Sequence, residues 1–213
     1  MKKLTLLLAV ATALFASCNN APESTEAAKP ADSVAAEAPA PPPVIDSATA
    51  AKNMEDYMTL GEMHKVLAMG LGTWNTEMTG WWEEGKPPMV TKGTCEFKMI
   101  MGGRYKQSTF KGDMMGMPFE GMGITAYDNA AKVFVDTWID NMGTGIMTMQ
   151  GSYDAAAKTI ESKGTCMDPV ARVEKTMRSV MKMVDDKNMV MEMYETLKGG
   201  TERKTMEIKY AKK

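Results

Sequence analysis

The chain has 213 residues, with 25 basic against 27 acidic side chains and a formal net charge of −2. So even a balance leaves no basic footprint for nucleic acid. The outlying count is methionine, present 24 times and several times above its ordinary share.

Residues 1–18 read MKKLTLLLAVATALFASC. Two lysines precede an apolar run over residues 4–14 that is too short for a permanent membrane span, and small residues lead into Cys18. The order Leu14-Phe15-Ala16-Ser17-Cys18 resembles a bacterial lipobox. That resemblance implies removal of residues 1–17 as a signal peptide and acylation of Cys18. Each buried CH₂ contributes roughly 0.8 kcal/mol, so several acyl chains anchor stably where one would be marginal. The expected partner is therefore a membrane, reached through the lipid anchor. Asn19 is not the aspartate associated with inner-membrane retention in enteric bacteria, so the outer membrane is the expected location. Residues 19–52, rich in alanine, proline and acidic or hydroxyl side chains, cannot offset their ordering entropy. With the lipidated Cys18 they read as an extended tether over 18–52, leaving 53–213 as one domain.

In that domain, residues 53–70 carry helical spacing: Met54, Tyr57, Met58, Met63, Val66, Leu67 and Met69 share a broad face, and Gly70 and Gly72 end it. The period then falls to two. Strands are expected at 73–82, 90–101, 104–111, 117–127, 132–141, 145–153, 158–167, 172–184, 188–197 and 204–210. Turn chemistry separates them, as in Gly102-Gly103 and Lys198-Gly199-Gly200-Thr201. Two turns, YDNAAK at 127–132 and YDAAAK at 153–158, are near copies. Short loops force antiparallel neighbours. About ten strands in series either curl shut or leave two long edges, so the fold class expected is all-β, an antiparallel up-and-down β-barrel with one N-terminal helix. A two-sheet sandwich is the alternative.

A helix followed by Gly72-Thr73-Trp74 at the first strand resembles the entry to calycin barrels, the lipocalin and fatty-acid-binding superfamily. The resemblance implies that Gly72 and Trp74 close one barrel end beneath the helix. The segments GGRY (102–105), GDMMGMPFEGMGITAYDN (112–129), WIDNMGTGIM (138–147), GSYD (151–154) and MEIKY (206–210) are similar to the bacterial family catalogued as domain of unknown function 1579. That similarity runs from about residue 64 to the end and implies a fold without implying an activity. Haem-binding barrels of the nitrobindin type open in the same way but place a histidine ligand late in the chain. The one histidine here, His64, is early.

Methionine runs suit copper(I) when their thioethers converge. Met189, Met191 and Met193, however, share one strand face and would meet Met177, Met181 and Met183 across a turn. They read as flexible apolar packing or cavity lining, with oxidant scavenging as a further reading and no metal expected. The same holds for Met114, Met115, Met117 and Met122. No cofactor is expected. The candidate lining is Tyr105, Phe134, Trp138, Met147, Met149, Met191 and Met193. Asp136 and Asp140 share the Trp138 face, about 13 Å apart on a regular strand, and Arg104 is a candidate partner for a ligand carboxylate. His64 is expected on the helix surface or over the barrel end. Cys95 and Cys166, on the second and seventh strands, are expected as free, buried thiols. The expected function is binding of a small, mainly apolar ligand inside a lipid-anchored barrel. The alternatives are an isomerase or hydrolase using Asp136 or Asp140 as base, and an envelope scaffold with a filled barrel.

Overall fold

The computed structural model describes residues 42–213 apart from 84 and 198. The expected signal peptide, Cys18 and most of the expected tether therefore lie outside the described residues. Ile45–Lys213 form one compact unit.

The expected helical segment is present but begins earlier and is divided, into α1 (Ser47–Met58) and α2 (Glu62–Leu67). The early start has a local cause. The Asp46 carboxylate accepts hydrogen bonds from the backbone N–H groups of Ala48 and Thr49, capping a run of alanines that favours helix. Residues 47–52, expected in the tether, thus belong to a helix. The division falls where Thr59 turns extended and Gly61 caps the second helix. Asn129 fixes this junction, its amide donating to the carbonyls of Asp56, Tyr57 and Thr59 at 2.7–3.1 Å.

Ten antiparallel strands follow: β1 (Gly72–Gly80), β2 (Met89–Ile100), β3 (Tyr105–Met114), β4 (Met117–Asp128), β5 (Val133–Asp140), β6 (Met147–Asp154), β7 (Thr159–Met167), β8 (Glu174–Asp185), β9 (Asn188–Leu197) and β10 (Arg203–Lys212). Each pairs with its chain neighbour, and β1 pairs with β10 from Trp74↔Lys212 to Gly80↔Met206, closing a single barrel. The ring leaves no second sheet, so the sandwich alternative falls away. Closure removes both edges.

Trp74 and Leu67 are fully buried, and the indole Nε1 donates to the Gly70 carbonyl at 2.8 Å, joining α2 to the barrel end. Gly70 and Gly72 adopt positive φ there, and a β-carbon on Gly70 would stand 2.7 Å from the Met189 sulfur. His64 is buried, not on the helix surface. Its Nδ1 accepts from the Gly61 N–H at 3.1 Å, its ring meets Tyr127 edge-on, and burial followed by the Arg104 charge lowers its pKa.

The near-identical turns are one hairpin solution. In each, the aspartate (Asp128 or Asp154) accepts two backbone N–H bonds, from Ala130 and Ala131 or from Ala156 and Ala157, and the lysine (Lys132 or Lys158) adopts positive φ. A third copy joins β7 to β8. Asp168 accepts from Val170 and Ala171, and Arg172 takes φ 55°.

Candidate functional site

A cavity of about 400 Å³ lies inside the barrel. Antiparallel register decides what faces it, because directly paired residues share a face. On β8 to β10 the pairings Met181↔Met191 and Met191↔Ile208 carry one apolar band across the wall. Met193, Met147 and Met149 extend it. Met177 and Met189 are buried, and Met183 packs against the core at the helix end. Phe97, Phe110 and Phe119, on β2 to β4, supply the facing wall, and Tyr210 lies on β10 in the band's own wall, paired with Met189.

The methionines of the 111–123 segment do not converge. Met114 packs on the core, Met115 sits in the β3–β4 turn, and Met117 and Met122 are exposed. The glycines of that segment have the larger effect on the cavity. A β-carbon at Gly121 would stand 2.2 Å from the Trp138 ring, and one at Gly123 would stand 2.7 Å from the Ser108 hydroxyl. Their bare backbone lets Trp138 lie across β4 within the lumen.

The polar part of the site is a row across three strands. Lys106 pairs with Thr125, and Thr125 pairs with Asp136. Asp136 accepts from the Thr125 hydroxyl on one oxygen at 2.8 Å and from the Ser162 hydroxyl on the other at 2.7 Å. Ser162 sits opposite Gly151, where a β-carbon would stand 2.5 Å from its hydroxyl. Lys106 is half-buried on the cavity wall, with its ammonium 5.4 Å from the Phe97 ring centre. Among the described residues its ammonium makes no side-chain hydrogen bond or ion pair. Burial pushes its pKa below the ordinary lysine range, and Asp136 pulls the other way. Burial also drives the neighbouring Cys95 thiol up to about 12, so that it is uncharged at neutral pH. Asp140 accepts from the Trp138 indole at 2.8 Å and from the Met142 backbone at 3.0 Å.

Of the residues read from sequence as candidate ligand contacts, Asp136, Trp138, Asp140, Met147, Met149, Met191 and Met193 line this cavity. Three do not. Phe134 is buried against Tyr127, towards the helix end. Tyr105 is 39% exposed on the outer face, because the inward parity of β3 belongs to Lys106, Ser108 and Phe110. Arg104 is exposed and donates to the carbonyls of Met58 and Met101, so it pins the end of α1 and does not face a ligand. Lys106 escaped the sequence reading although Phe110, four residues on, marks the same face.

Cys95 is buried and Cys166 only half-buried, which corrects the expectation that both are buried. Their strands stand five steps apart in either direction around the ring. Among the described residues, no group of three or more histidine, cysteine, aspartate or glutamate side chains converges to hold a metal ion.

A family model described as "Protein of unknown function (DUF1579)" matches residues 59–212. No curated protein matches the chain. Among solved structures, the crystal structure of Rv2717c from M. tuberculosis is similar at 13% identity and TM-score 0.56, over 73% of this chain and 99% of that one. At this identity the likeness bears on the fold alone. A redesigned beta barrel, b11L5F_LGL, aligns over 73% of this chain and 98% of its own at 10% identity, with a TM-score of 0.37.

Proposed function

Since the chain belongs to the DUF1579 family, whose description carries no activity, we propose from the barrel itself that the protein holds a small, mainly apolar molecule in its lumen. We further propose that it does so from the cell envelope, anchored through Cys18 on the tether that precedes α1. The observation that carries the reading is the cavity of about 400 Å³ walled by methionine and aromatic side chains. Ligand sites commonly span roughly 300–1,000 Å³ and are mostly apolar with a few placed polar groups. Methionine suits such a wall because its unbranched thioether adapts to an irregular guest. A scaffold with a filled barrel would pack this space with its own side chains.

The test is native mass spectrometry of the full chain purified from a bacterial envelope. A retained mass of about a few hundred daltons, released by organic solvent, supports the binding reading. A bare polypeptide mass counts against it. Denaturing mass measurement of the same sample reads the anchor: loss of residues 1–17 with an acyl-glycerol addition on Cys18 is expected, and an unmodified Cys18 would remove the anchoring half of the proposal.

A further inference from the structure

We infer that the polar group of the bound molecule is an uncharged carbonyl, its oxygen accepting a hydrogen bond from Lys106 with the half-buried Asp136 as the counter-charge. This rests on the lumen being a ligand cavity, and it goes on to name the chemistry of the ligand's polar end.

Hydrogen-bonding capacity points first to an acceptor. The Lys106 ammonium carries three donors, faces the cavity, and makes no side-chain hydrogen bond among the described residues. A donor left unmatched in an apolar space carries a desolvation cost, which a guest that supplies an acceptor relieves. The carboxylate nearest along the row does not do this: Asp136 is held by the Thr125 and Ser162 hydroxyls, one on each oxygen, and acts on Lys106 only through its charge, with no hydrogen bond between them. Lys106 is therefore the donor on this wall that a guest is placed to meet.

Charge then selects among acceptors. The ionisable side chains of opposite sign on the cavity wall are one lysine, Lys106, and two aspartates, Asp136 and Asp140. Cys95 is a neutral thiol beside them. A carboxylate or phosphate guest would add a further negative charge to a wall that already carries more acids than bases, inside low-dielectric surroundings where an unpaired charge is costly. A carbonyl meets the lysine's donors without changing that balance. It also brings no proton needing an acceptor of its own, as a hydroxyl would. The Lys106–Thr125–Asp136 register fixes where this happens, on the wall formed by β3 to β5 beside the Trp138 ring.

The experiment uses residues 18–213, produced without 1–17 and so unacylated, which retain the whole compact unit. The neutral fluorophore 1-N-phenylnaphthylamine is bound first. It is then displaced by three probes of matched size, 2-ethylnaphthalene, 2-acetylnaphthalene and 2-naphthoate. The acetyl probe is expected to compete about tenfold more tightly than the ethyl probe, the scale of one hydrogen bond to a charged group, and more tightly than the naphthoate. Lys106→Met should abolish the acetyl preference, read as the ratio of acetyl to ethyl affinity within the variant itself. The double variant Lys106→Met/Asp136→Asn, which removes both charges together, serves if the single variant does not fold. Equal affinity for acetyl and ethyl, tightest binding of the naphthoate, or a preference surviving without Lys106 would overturn the inference and leave the cavity reading standing. Failure of the fluorophore and of all three probes to bind would overturn both.

Discussion

The indole of Trp138 fills the space that a side chain at Gly121 would take, since a β-carbon there would meet the ring at 2.2 Å. The ring cannot simply swing aside, because its Nε1 is bonded to Asp140. Gly121→Ala is therefore expected to destabilise the barrel by about 1–3 kcal/mol, the usual scale of overpacking. Urea unfolding followed by Trp fluorescence reads this as a lower midpoint. An unchanged midpoint would mean that Trp138 is not held where it lies.

Cys95 makes stability depend on alkaline pH. Burial raises its pKa from 9 to about 12, so the folded chain keeps a proton that the unfolded chain gives up. The stabilisation is complete below pH 9 and is lost as pH rises towards 12, roughly 4 kcal/mol at most across that window. The depressed pKa of Lys106 works in the opposite sense, favouring the folded state as pH rises through its range. The diagnostic is therefore a difference. Cys95→Ala should lose less stability than the parent between pH 8 and pH 10 in paired urea titrations, and parallel losses would exclude the burial account.

Glu195 anchors an ion cluster on the wall of β8 to β10. Its carboxylate bonds Lys175 at 2.9 Å and also Arg203, and Lys175 reaches Asp168 at 3.1 Å, with only 15% of the Lys175 side chain and 10% of the Glu195 side chain exposed. Burial alone would raise the Glu195 pKa, but the bonds from Lys175 and Arg203 outweigh it and hold the group below its ordinary 4.5. Glu195→Ala should cost about 2–3 kcal/mol, less than a fully broken buried pair because Lys175 keeps Asp168. In the parent, this contribution is present above about pH 4.5 and fades as pH falls through the lowered value. Acid titration of parent and variant should converge below that point.

The three aspartate-capped hairpins place Lys132, Lys158 and Arg172 at positive φ with exposed side chains. A non-glycine residue there carries about 1–2 kcal/mol of strain, and glycine removes it at some cost in unfolded-chain entropy. Lys132→Gly and Arg172→Gly should each stabilise by about 0.5–1 kcal/mol, with effects that add because the turns are separate. Thermal unfolding of the singles and the double checks both statements.

The barrel was legible because its strands alternate cleanly and its turns carry the right residues. KVFVDTWIDN places Phe134, Asp136, Trp138 and Asp140 on one face by parity alone, and NMVMEMYETL does the same for its methionines. What failed was parity at a weakly patterned start. Tyr105 follows a 3-10 turn at Met101–Gly103, and in YKQSTF an inward aromatic looks more natural than an inward lysine. The burial of Phe110 and its pairing with Cys95 settle the opposite face. The helix start was missed because alanine suits tether and helix alike, and the decision rests on a single capping residue, Asp46. The third hairpin was hidden because Val170 and Arg172 replace an alanine and the lysine that both relatives share, and Pro169 stands where they have Asn129 and Ala155, although the aspartate that makes the bonds is the same.

The seam between β1 and β10 joins residues near opposite ends of the domain, Trp74 with Lys212, and the last backbone N–H, on Lys213, donates to Thr73 at 3.0 Å. A nascent chain ending before Arg203 lacks the strand that completes the ring, and presents both β1 and β9 as unpaired edges. Closure must then be among the final events of folding, after nearly the whole domain has been synthesised. Closing over such a long sequence separation carries a loop-closure cost that the nine local hairpins do not, and makes the final strand a timing element as well as a wall.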